Sequence, residues 1–194
     1  MRGYFGIGVE GISKTMNVGN LFRTAHAFGA SFVFTVDATY ERTLGQKADT
    51  SKSGGHVPFY SFPGVAEVML PDGCKLVGVE LLEDATELPS FRHPQQAAYV
   101  LGPERGSLSP AMLARCDHTI KIPMAFCVNV GIAGAIVMYD RLISQSRFAA
   151  RPVAEGGPVE APPEPRHGGR FSRKAQARMK AFEDTPPEVF NEGE

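Results

Sequence analysis

Residues 17–25, NVGNLFRTA, hold the first side chains whose types and spacing could do chemistry. If this segment is helical, Gly19 and Arg23 share a face, so a guanidinium stands beside a position without a side chain. A guanidinium suits a phosphate or a carboxylate, which it can bind with two N–H groups. Asn17 stands at the expected N-cap of the helix, which alone could explain it. Taken alone, the segment favours an ordinary surface arginine over a binding site.

A second such segment is residues 99–109, YVLGPERGSLS. It predicts a buried strand that ends at Gly102-Pro103-Glu104, followed by a turn into a helix capped by Ser109. Ligands of open α/β sheets bind at the carboxyl ends of the strands. Gly102 would let a ligand approach the backbone, and Glu104 would place a carboxylate at the rim. A tight turn with a solvent-facing glutamate gives the same pattern, and in isolation that alternative is favoured.

The third segment is residues 122–134, IPMAFCVNVGIAG. A strand runs into a proline, a short loop follows, and Asn129 is placed to cap the next helix. Gly131 and Gly134 form a small-residue face that would allow close packing, because glycines inside a helix otherwise cost about 1 kcal/mol each against alanine. Cys127 is interpreted as a small buried hydrophobic residue rather than as a reactive thiol.

Other sequence patterns argue against nucleotide-binding loops, disulfides and zinc sites. Residues 6–11, GIGVEG, match the dinucleotide fingerprint, but only five residues precede them and the next helical pattern starts several residues later. No phosphate-binding P-loop is present. Cys74, Cys116 and Cys127 have unrelated spacings, which predicts neither a disulfide framework nor a zinc site.

Composition indicates one ordinary globular domain with an appendage. Of 194 residues, 43% are hydrophobic and 21% are charged, which is enough for a core. Twenty Lys and Arg against 21 Asp and Glu argue neither for nor against nucleic-acid binding, and any basic surface must be local. We find neither a signal-peptide pattern nor an apolar stretch that would span a membrane, and we expect a cytoplasmic protein.

Short apolar runs alternate with helical patterns over residues 1–148, which predicts an α/β domain with a largely parallel sheet. Strands are expected at 4–10, 31–37, 75–81, 97–104 and 118–124. Helices are expected at 17–29, 63–70, 109–116 and 129–145.

Residues 149–194 form a Pro/Gly-rich linker and a basic, then acidic tail, which we expect to be flexible, disordered or partly helical. The tail could be a solvated segment, or an arm that contacts phosphates.

Taken in this order, the three segments resemble the motifs of the SpoU (TrmH-like) family of RNA 2′-O-ribose methyltransferases in the SPOUT superfamily. Residues 17–25 match the first motif, N-x-G-N-x-x-R-T-A. Residues 101–108 match the second, L-G-P-E-x-x-G-L, with Gly106 one position early. The third motif, I-P-M and then N-V/L-x-x-A, is met at 122–124 and 129–133. The likeness covers roughly residues 4–147.

The resemblance implies a SPOUT fold whose C-terminal part is tied into a deep trefoil knot. It also implies a homodimer that binds S-adenosylmethionine in the knot loops and methylates a ribose 2′-hydroxyl in tRNA or rRNA without a metal. The apolar helix at 129–145 would then be available for dimer packing.

Carried over position by position, Arg23 resembles the family's catalytic arginine, which activates the 2′-hydroxyl or holds the adjacent phosphate while the proton leaves. The second role is easier to defend, because arginine stays protonated at neutral pH. Asn17 would orient Arg23, and Glu104 and Asn129 would position the hydroxyl for in-line attack. The same likeness predicts cofactor contacts, largely through the backbone, at Val79, Gly102, Ile122, Cys127 and Val128.

The chain departs from the family pattern at Cys127, where relatives often have serine, and in a shorter loop between Met124 and Asn129. We also expect no N-terminal RNA-binding extension of the kind found in some relatives. Arg42, Lys47, Lys52 and the tail at 170–180 are therefore candidates for gripping RNA. Its small size resembles that of enzymes acting on the anticodon wobble ribose of tRNA.

A non-catalytic RNA-binding protein that kept the fold is the main alternative to a methyltransferase. Cys127 is the feature in its favour. A nucleotide-binding enzyme that uses GIGVEG is the third hypothesis.

Overall fold

The computed structural model describes residues 3–38, 57–103, 106–146 and 148. Contacts divide the chain between Arg147 and Phe148, and all the elements described here belong to the first unit. The strands of this unit are β1 Tyr4–Glu10, β2 Phe32–Val36, β3 Phe59–Phe62, β4 Lys75–Val79, β5 Thr86–Glu87, β6 Gln96–Leu101 and β7 His118–Lys121. Its helices are α1 Thr15–Ala27, α2 Pro110–Arg115 and α3 Val130–Gln145, with a 3-10 turn at Leu88–Ser90.

The seven described strands form one sheet in the order β3-β2-β1-β6-β4-β7-β5, and every pairing is parallel. The expected α/β fold with a parallel sheet is thus confirmed. The chain leaves β1 towards β2 on one side, and leaves β6 towards β7 on the other. Such a reversal opens a crevice at the carboxyl ends of the central strands, where α/β proteins bind ligands.

The sheet is buried on both faces, which explains its nearly continuous apolar strands. One core cluster joins Ile7, Val9 and Tyr99 of the sheet to buried residues of α1 and α3. A second cluster, on the other face, packs Phe34 and Val100 against Met112 and its neighbours.

Gly6 and Gly8 have a packing role in β1, so the interpretation of GIGVEG as a nucleotide fingerprint is wrong. A Cβ at Gly6 would lie 2.2 Å from the Phe32 ring, and one at Gly8 would lie 2.5 Å from the Phe34 ring. Both glycines lie within the strand, and the next helix opens only at Thr15. The glycines therefore admit the aromatic rings of β2 instead of a pyrophosphate.

Helix α1 begins earlier than the sequence predicts. Lys14 is its N-cap and makes no capping hydrogen bond through its side chain, so the expected N-cap role of Asn17 is wrong. Asn17 lies inside the first turn and is buried. The helix stops where expected, because Gly29 follows it at a φ of +73°, which favours glycine.

The other two helices begin as predicted. Ser109 caps α2 by accepting a hydrogen bond from the backbone N–H of Met112 at 3.1 Å. Asn129 caps α3 through its Oδ1 atom, which accepts from the Gly131 N–H at 2.8 Å. A Cβ at Gly134 would lie 2.5 Å from Leu21 Cδ1, so this glycine lets α3 pack closely on α1, as expected.

Two strands and one loop differ from the sequence predictions. Residues 63–70 form bends and a turn instead of a helix, and β3 precedes them. The two-residue strand β5 pairs with β7 and also has no counterpart in the predictions. Within the described ranges, no helix is long and apolar enough to cross a membrane.

Candidate active site

A cavity of about 400 Å³ opens at the carboxyl ends of β4, β6 and β7. Residues from all three sequence segments line it, together with the chain that follows β4. The volume falls in the usual range for small-ligand pockets, roughly 300–1,000 Å³. The lining residues are Lys14, Asn17, Val79, Glu80, Leu81, Leu101, Gly102, Pro103, Gly106, Ile122, Met124, Cys127, Val128, Asn129, Val130 and Ala133.

Seven of the nine residues singled out from the sequence line this cavity. They are Asn17, Val79, Gly102, Ile122, Cys127, Val128 and Asn129. Arg23 is exposed on α1 and is not among the lining residues. It stands six residues beyond Asn17, about 9 Å farther along the helix axis. Glu104 lies outside the described residues, as do Arg42, Lys47, Lys52 and residues 149–194.

Asn17 and Asn129 form a direct bridge between the first and third segments. Asn129 Nδ2 donates to Asn17 Oδ1 at 2.9 Å, while Asn129 Oδ1 is held by the capping bond to Gly131. Because the cap requires an oxygen on one side, the Asn129 amide must present its NH₂ group to Asn17. The bridge therefore fixes the orientation of the Asn129 amide at the cavity wall.

Cys127 is exposed at the cavity, so the expectation that it is buried is wrong. It belongs to the loop before α3, which also contributes Met124, Val128 and Asn129 to the cavity lining. Cys74 and Cys116 are half-buried. Burial raises the pKa of the Cys74 thiol, and raises the pKa of Cys116 to about 11. Both groups therefore hold little thiolate near neutral pH.

Two glutamates that the sequence analysis did not single out hold the loop after β6. Glu10, the last residue of β1, is buried and accepts from the Ser109 N–H at 2.8 Å and the Ser109 hydroxyl at 2.6 Å. Glu80, directly after β4, accepts from the Leu108 N–H at 2.7 Å and the Leu81 N–H at 2.9 Å. A carboxylate directly after an apolar strand was the available signal, since such residues meet at one edge of a parallel sheet.

The cavity combines apolar walls with a few polar groups. Val79, Leu101, Ile122, Met124 and Ala133 provide aliphatic and thioether surface. The polar side chains at its surface are Lys14, Asn17, Glu80 and Asn129. This mixture fits a small molecule with an apolar or aromatic part and a few hydrogen-bonding groups. Within the described residues, no group of three or more His, Cys, Asp or Glu side chains could hold a metal ion.

The chain is similar in sequence to one protein family and to known members of it. The profile of the SpoU rRNA Methylase family matches residues 5–139. A tRNA (guanosine(18)-2′-O)-methyltransferase of Escherichia coli (strain K12) is 28% identical over 137 residues, which cover 68% of this chain and 60% of that protein. A TrmH family relative from Staphylococcus aureus (strain COL) is also 28% identical, over 140 residues, 68% of this chain and 56% of the relative. The chain thus spans less than two thirds of the length of these relatives.

Solved structures show the same fold. The SpoU methyltransferase AviRb from Streptomyces viridochromogenes, in complex with AdoMet, matches with a TM-score of 0.66 at 23% identity, covering 76% of this chain and 60% of AviRb. A structure described as giving insight into 2-OH methylation of C/U34 on tRNA matches with a TM-score of 0.64 at 21% identity. That match covers 73% of this chain and 96% of the other.

Proposed function

Because the chain belongs to the SpoU rRNA methylase family, we propose that it transfers a methyl group from S-adenosylmethionine to a ribose 2′-hydroxyl of RNA, with tRNA favoured slightly over rRNA. One observation carries the proposal. Side chains from three separate sequence segments meet at a single cavity, at the crevice where parallel α/β sheets bind ligands. The E. coli relative, which carries a 2′-O-methyltransferase name, supports the choice of the ribose hydroxyl.

The cavity fits S-adenosylmethionine by volume and by the mixture of its walls. When bound, this group supplies a methyl carried on a sulfonium. The thioether that remains is a good leaving group, so no metal is invoked. The residues that we expect to hold it are Val79, Gly102, Ile122, Cys127 and Val128.

In the proposed mechanism, the residues of the chain position the hydroxyl and hold the phosphate group that accepts its proton. Asn129, fixed by its bridge to Asn17, and Glu104 hold the 2′-hydroxyl in line with the methyl group. Arg23 binds the RNA phosphate next to that ribose with two N–H groups. Bound S-adenosylmethionine would supply the methyl group to the hydroxyl oxygen and leave as S-adenosylhomocysteine, while Arg23 holds the phosphate that takes the hydroxyl proton.

Substitution of Arg23 separates catalysis from simple RNA binding. We expect Arg23→Ala to lower the rate of methyl transfer at least about 100-fold, as for loss of a group that stabilises the transition state. RNA binding should change by less than about tenfold, since one phosphate contact is lost. Arg23→Lys, which keeps the charge without the two-pronged geometry, should recover RNA affinity but only part of the rate. Unchanged activity of Arg23→Ala would refute the assignment of this arginine.

A non-catalytic RNA-binding protein is the second candidate, and Cys127 in place of the family's usual serine is the observation that favours it. Wild-type protein that binds RNA but transfers no methyl group to unmodified tRNA or rRNA would support this candidate over the first.

A further inference from the structure

We propose that Glu80 is a positioning residue that holds two walls of the cavity together, and that cofactor affinity depends on it. The proposal rests on the proposed function only in naming S-adenosylmethionine as the ligand. One carboxylate oxygen, Oε1, accepts from the Leu81 N–H at 2.9 Å, and the other, Oε2, accepts from the Leu108 N–H at 2.7 Å. A single side chain therefore ties the chain after β4 to the loop after β6.

Both tied segments contribute to the cavity surface. Val79, Glu80 and Leu81 form the wall that follows β4. Gly102, Pro103 and Gly106 belong to the loop that Leu108 closes, and they form the wall that follows β6. The sheet already fixes the two segments where they begin, because Val79 pairs with Leu101. Glu80 adds a tie farther along the loop, at Leu108, so we expect the shape of the cavity to depend on this carboxylate.

Gly102 leaves space at this junction that a side chain would narrow. A Cβ added there would lie 3.1 Å from the Leu108 backbone nitrogen and 3.2 Å from Glu80 Oε2. These are the two atoms that form the hydrogen bond across the walls. The missing side chain at Gly102 thus makes room for the bridge, in addition to any approach of a ligand.

The bridge uses both oxygens of a carboxylate. Its two oxygens each accept from a backbone N–H, and hydrogen bonds to a charged acceptor are about twice as strong as neutral ones. In a glutamine, one oxygen is replaced by an NH₂ group, which would point a donor at a donor. Glu80→Gln therefore breaks one side of the bridge and weakens the other, with little change in volume.

Glu10 provides a matched control. Its carboxylate accepts from the Ser109 N–H and hydroxyl, so it holds the residue next to Leu108 in the same loop. Glu10 is buried and is not among the residues that line the cavity. Glu10→Gln removes the same charge beside the same loop, without touching the wall after β4.

The test measures binding of S-adenosylmethionine and of S-adenosylhomocysteine by calorimetry for wild type, Glu80→Gln, Glu80→Asp and Glu10→Gln. We expect Glu80→Gln to bind at least about tenfold more weakly, as for loss of a charge-assisted hydrogen bond. Glu80→Asp, which keeps the charge but is one methylene too short to reach both donors, should also bind more weakly. Glu10→Gln should stay within about twofold of wild type. Wild-type affinity of Glu80→Asp, or equal losses at Glu80 and Glu10, would overturn the proposal.

Hydrogen exchange of the ligand-free proteins tests the bridge without reference to the cofactor. Glu80→Gln and Glu80→Asp should speed exchange of the Leu81 and Leu108 amide hydrogens together, whereas Glu10→Gln should act mainly at Ser109. Unchanged exchange at Leu81 would overturn the bridge. If wild type binds neither cofactor form but exchange changes as expected, the proposed function fails and the bridge stands.

Discussion

Asn129 uses both ends of its side-chain amide. Its oxygen caps α3, and its NH₂ group donates to Asn17 on α1. The cap could be predicted from sequence because asparagine before an apolar helical run is a local pattern. The partner 112 residues away could not, since nothing local indicates which helix α3 packs against. Asn129 thus has two roles: its oxygen stabilises α3 as a cap, and its NH₂ group forms the bridge to Asn17 at the cavity.

Asn129→Ser should separate these two roles. Serine is as good an N-cap as asparagine, so we expect the melting temperature to change by no more than a few degrees. Its short side chain cannot reach Asn17, so the rate of methyl transfer should fall about tenfold or more. Asn129→Ala, which loses the cap as well, should cost about a further 1 kcal/mol of stability. Thermal unfolding and methyl-transfer rates measure the two effects. Full activity of Asn129→Ser would contradict a role for the bridge.

Cys127 should be the first of the three thiols to be alkylated near pH 7. It is exposed, whereas Cys74 and Cys116 are half-buried and their pKa values are raised by burial. Because Cys127 lines the cavity, S-adenosylhomocysteine should slow its reaction. Mass spectrometry after timed iodoacetamide treatment, with Cys127→Ser as the control, follows each site. Equal alkylation of Cys127 with and without saturating S-adenosylhomocysteine would place the cofactor elsewhere.

Strong local patterns explain which elements the sequence analysis found. β1, β2, β4, β6 and the three helices combine apolar runs or periodicity with caps and glycine stops. β3 and β5 were missed because their residues are half-buried or exposed and they lie at the sheet edges, where strands need no continuous apolar pattern. Residues 63–70 resemble a helix in composition, but the Arg115 guanidinium donates to the backbone carbonyls of Val65, Ala66 and Val68 and holds these residues in turns. Local sequence does not show such contacts.

A buried polar cluster ties α3 to the central strands β1 and β6, at and near their amino-terminal ends. His93 Nδ1 contacts the Tyr99 hydroxyl at 2.5 Å, and His93 Nε2 contacts Asp140 Oδ2 at 2.9 Å. Arg141, fully buried, donates to the Tyr99 hydroxyl and to backbone carbonyls of Tyr4, Pro94 and Gln95. Since Arg141 donates to Tyr99, the tyrosine hydroxyl can donate to a neutral His93. Burial raises the pKa of Tyr99 to about 12, which keeps the hydroxyl protonated.

The stability of the fold should fall in mild acid because of His93. Burial lowers the pKa of His93 below its ordinary 6.5, and this outweighs the opposing effect of Asp140. Below about pH 6.5 the unfolded chain gains a proton there that the folded state resists. The contribution is therefore present above that pH and is lost as pH falls towards the folded pKa, by at most about 1.4 kcal/mol per pH unit. Denaturant unfolding from pH 8 to pH 5 should show a smaller pH slope for His93→Gln. Identical slopes would contradict this account.

Exposed apolar side chains lie on α1 and α3, the two helices that pack on one face of the sheet. Ile132 and Tyr139 of α3 are 54% and 53% exposed and lie seven residues apart, on one side of the helix. Met16 of α1 is 69% exposed. These exposed apolar residues are candidates for an interface, and we expect them to lie in the homodimer that the family resemblance implies. The trefoil knot, also implied by the resemblance, stays a prediction.

We predict that the protein is a dimer and that Ile132→Glu dissociates it, because the substitution would bury an unpaired charge in the interface. Light scattering at micromolar concentration should give the monomer mass for this variant. Met69→Glu, which changes an exposed apolar residue in the loop after β3, is the matched control and should leave the mass unchanged. A wild-type monomer, or equal behaviour of the two variants, would contradict the dimer through this face.

Methyl transfer from S-adenosylmethionine to a ribose hydroxyl can be measured on the purified protein. Purified protein is incubated with labelled S-adenosylmethionine and with unmodified tRNA or rRNA transcripts, which removes the possibility that the target is already methylated. Nuclease digestion and mass spectrometry then identify the labelled nucleoside. We predict label in a 2′-O-methylated nucleoside from one RNA class, incorporated at least about 100-fold more slowly with Arg23→Ala. A methyl group on a base, or no transfer to either class of RNA, would contradict the account.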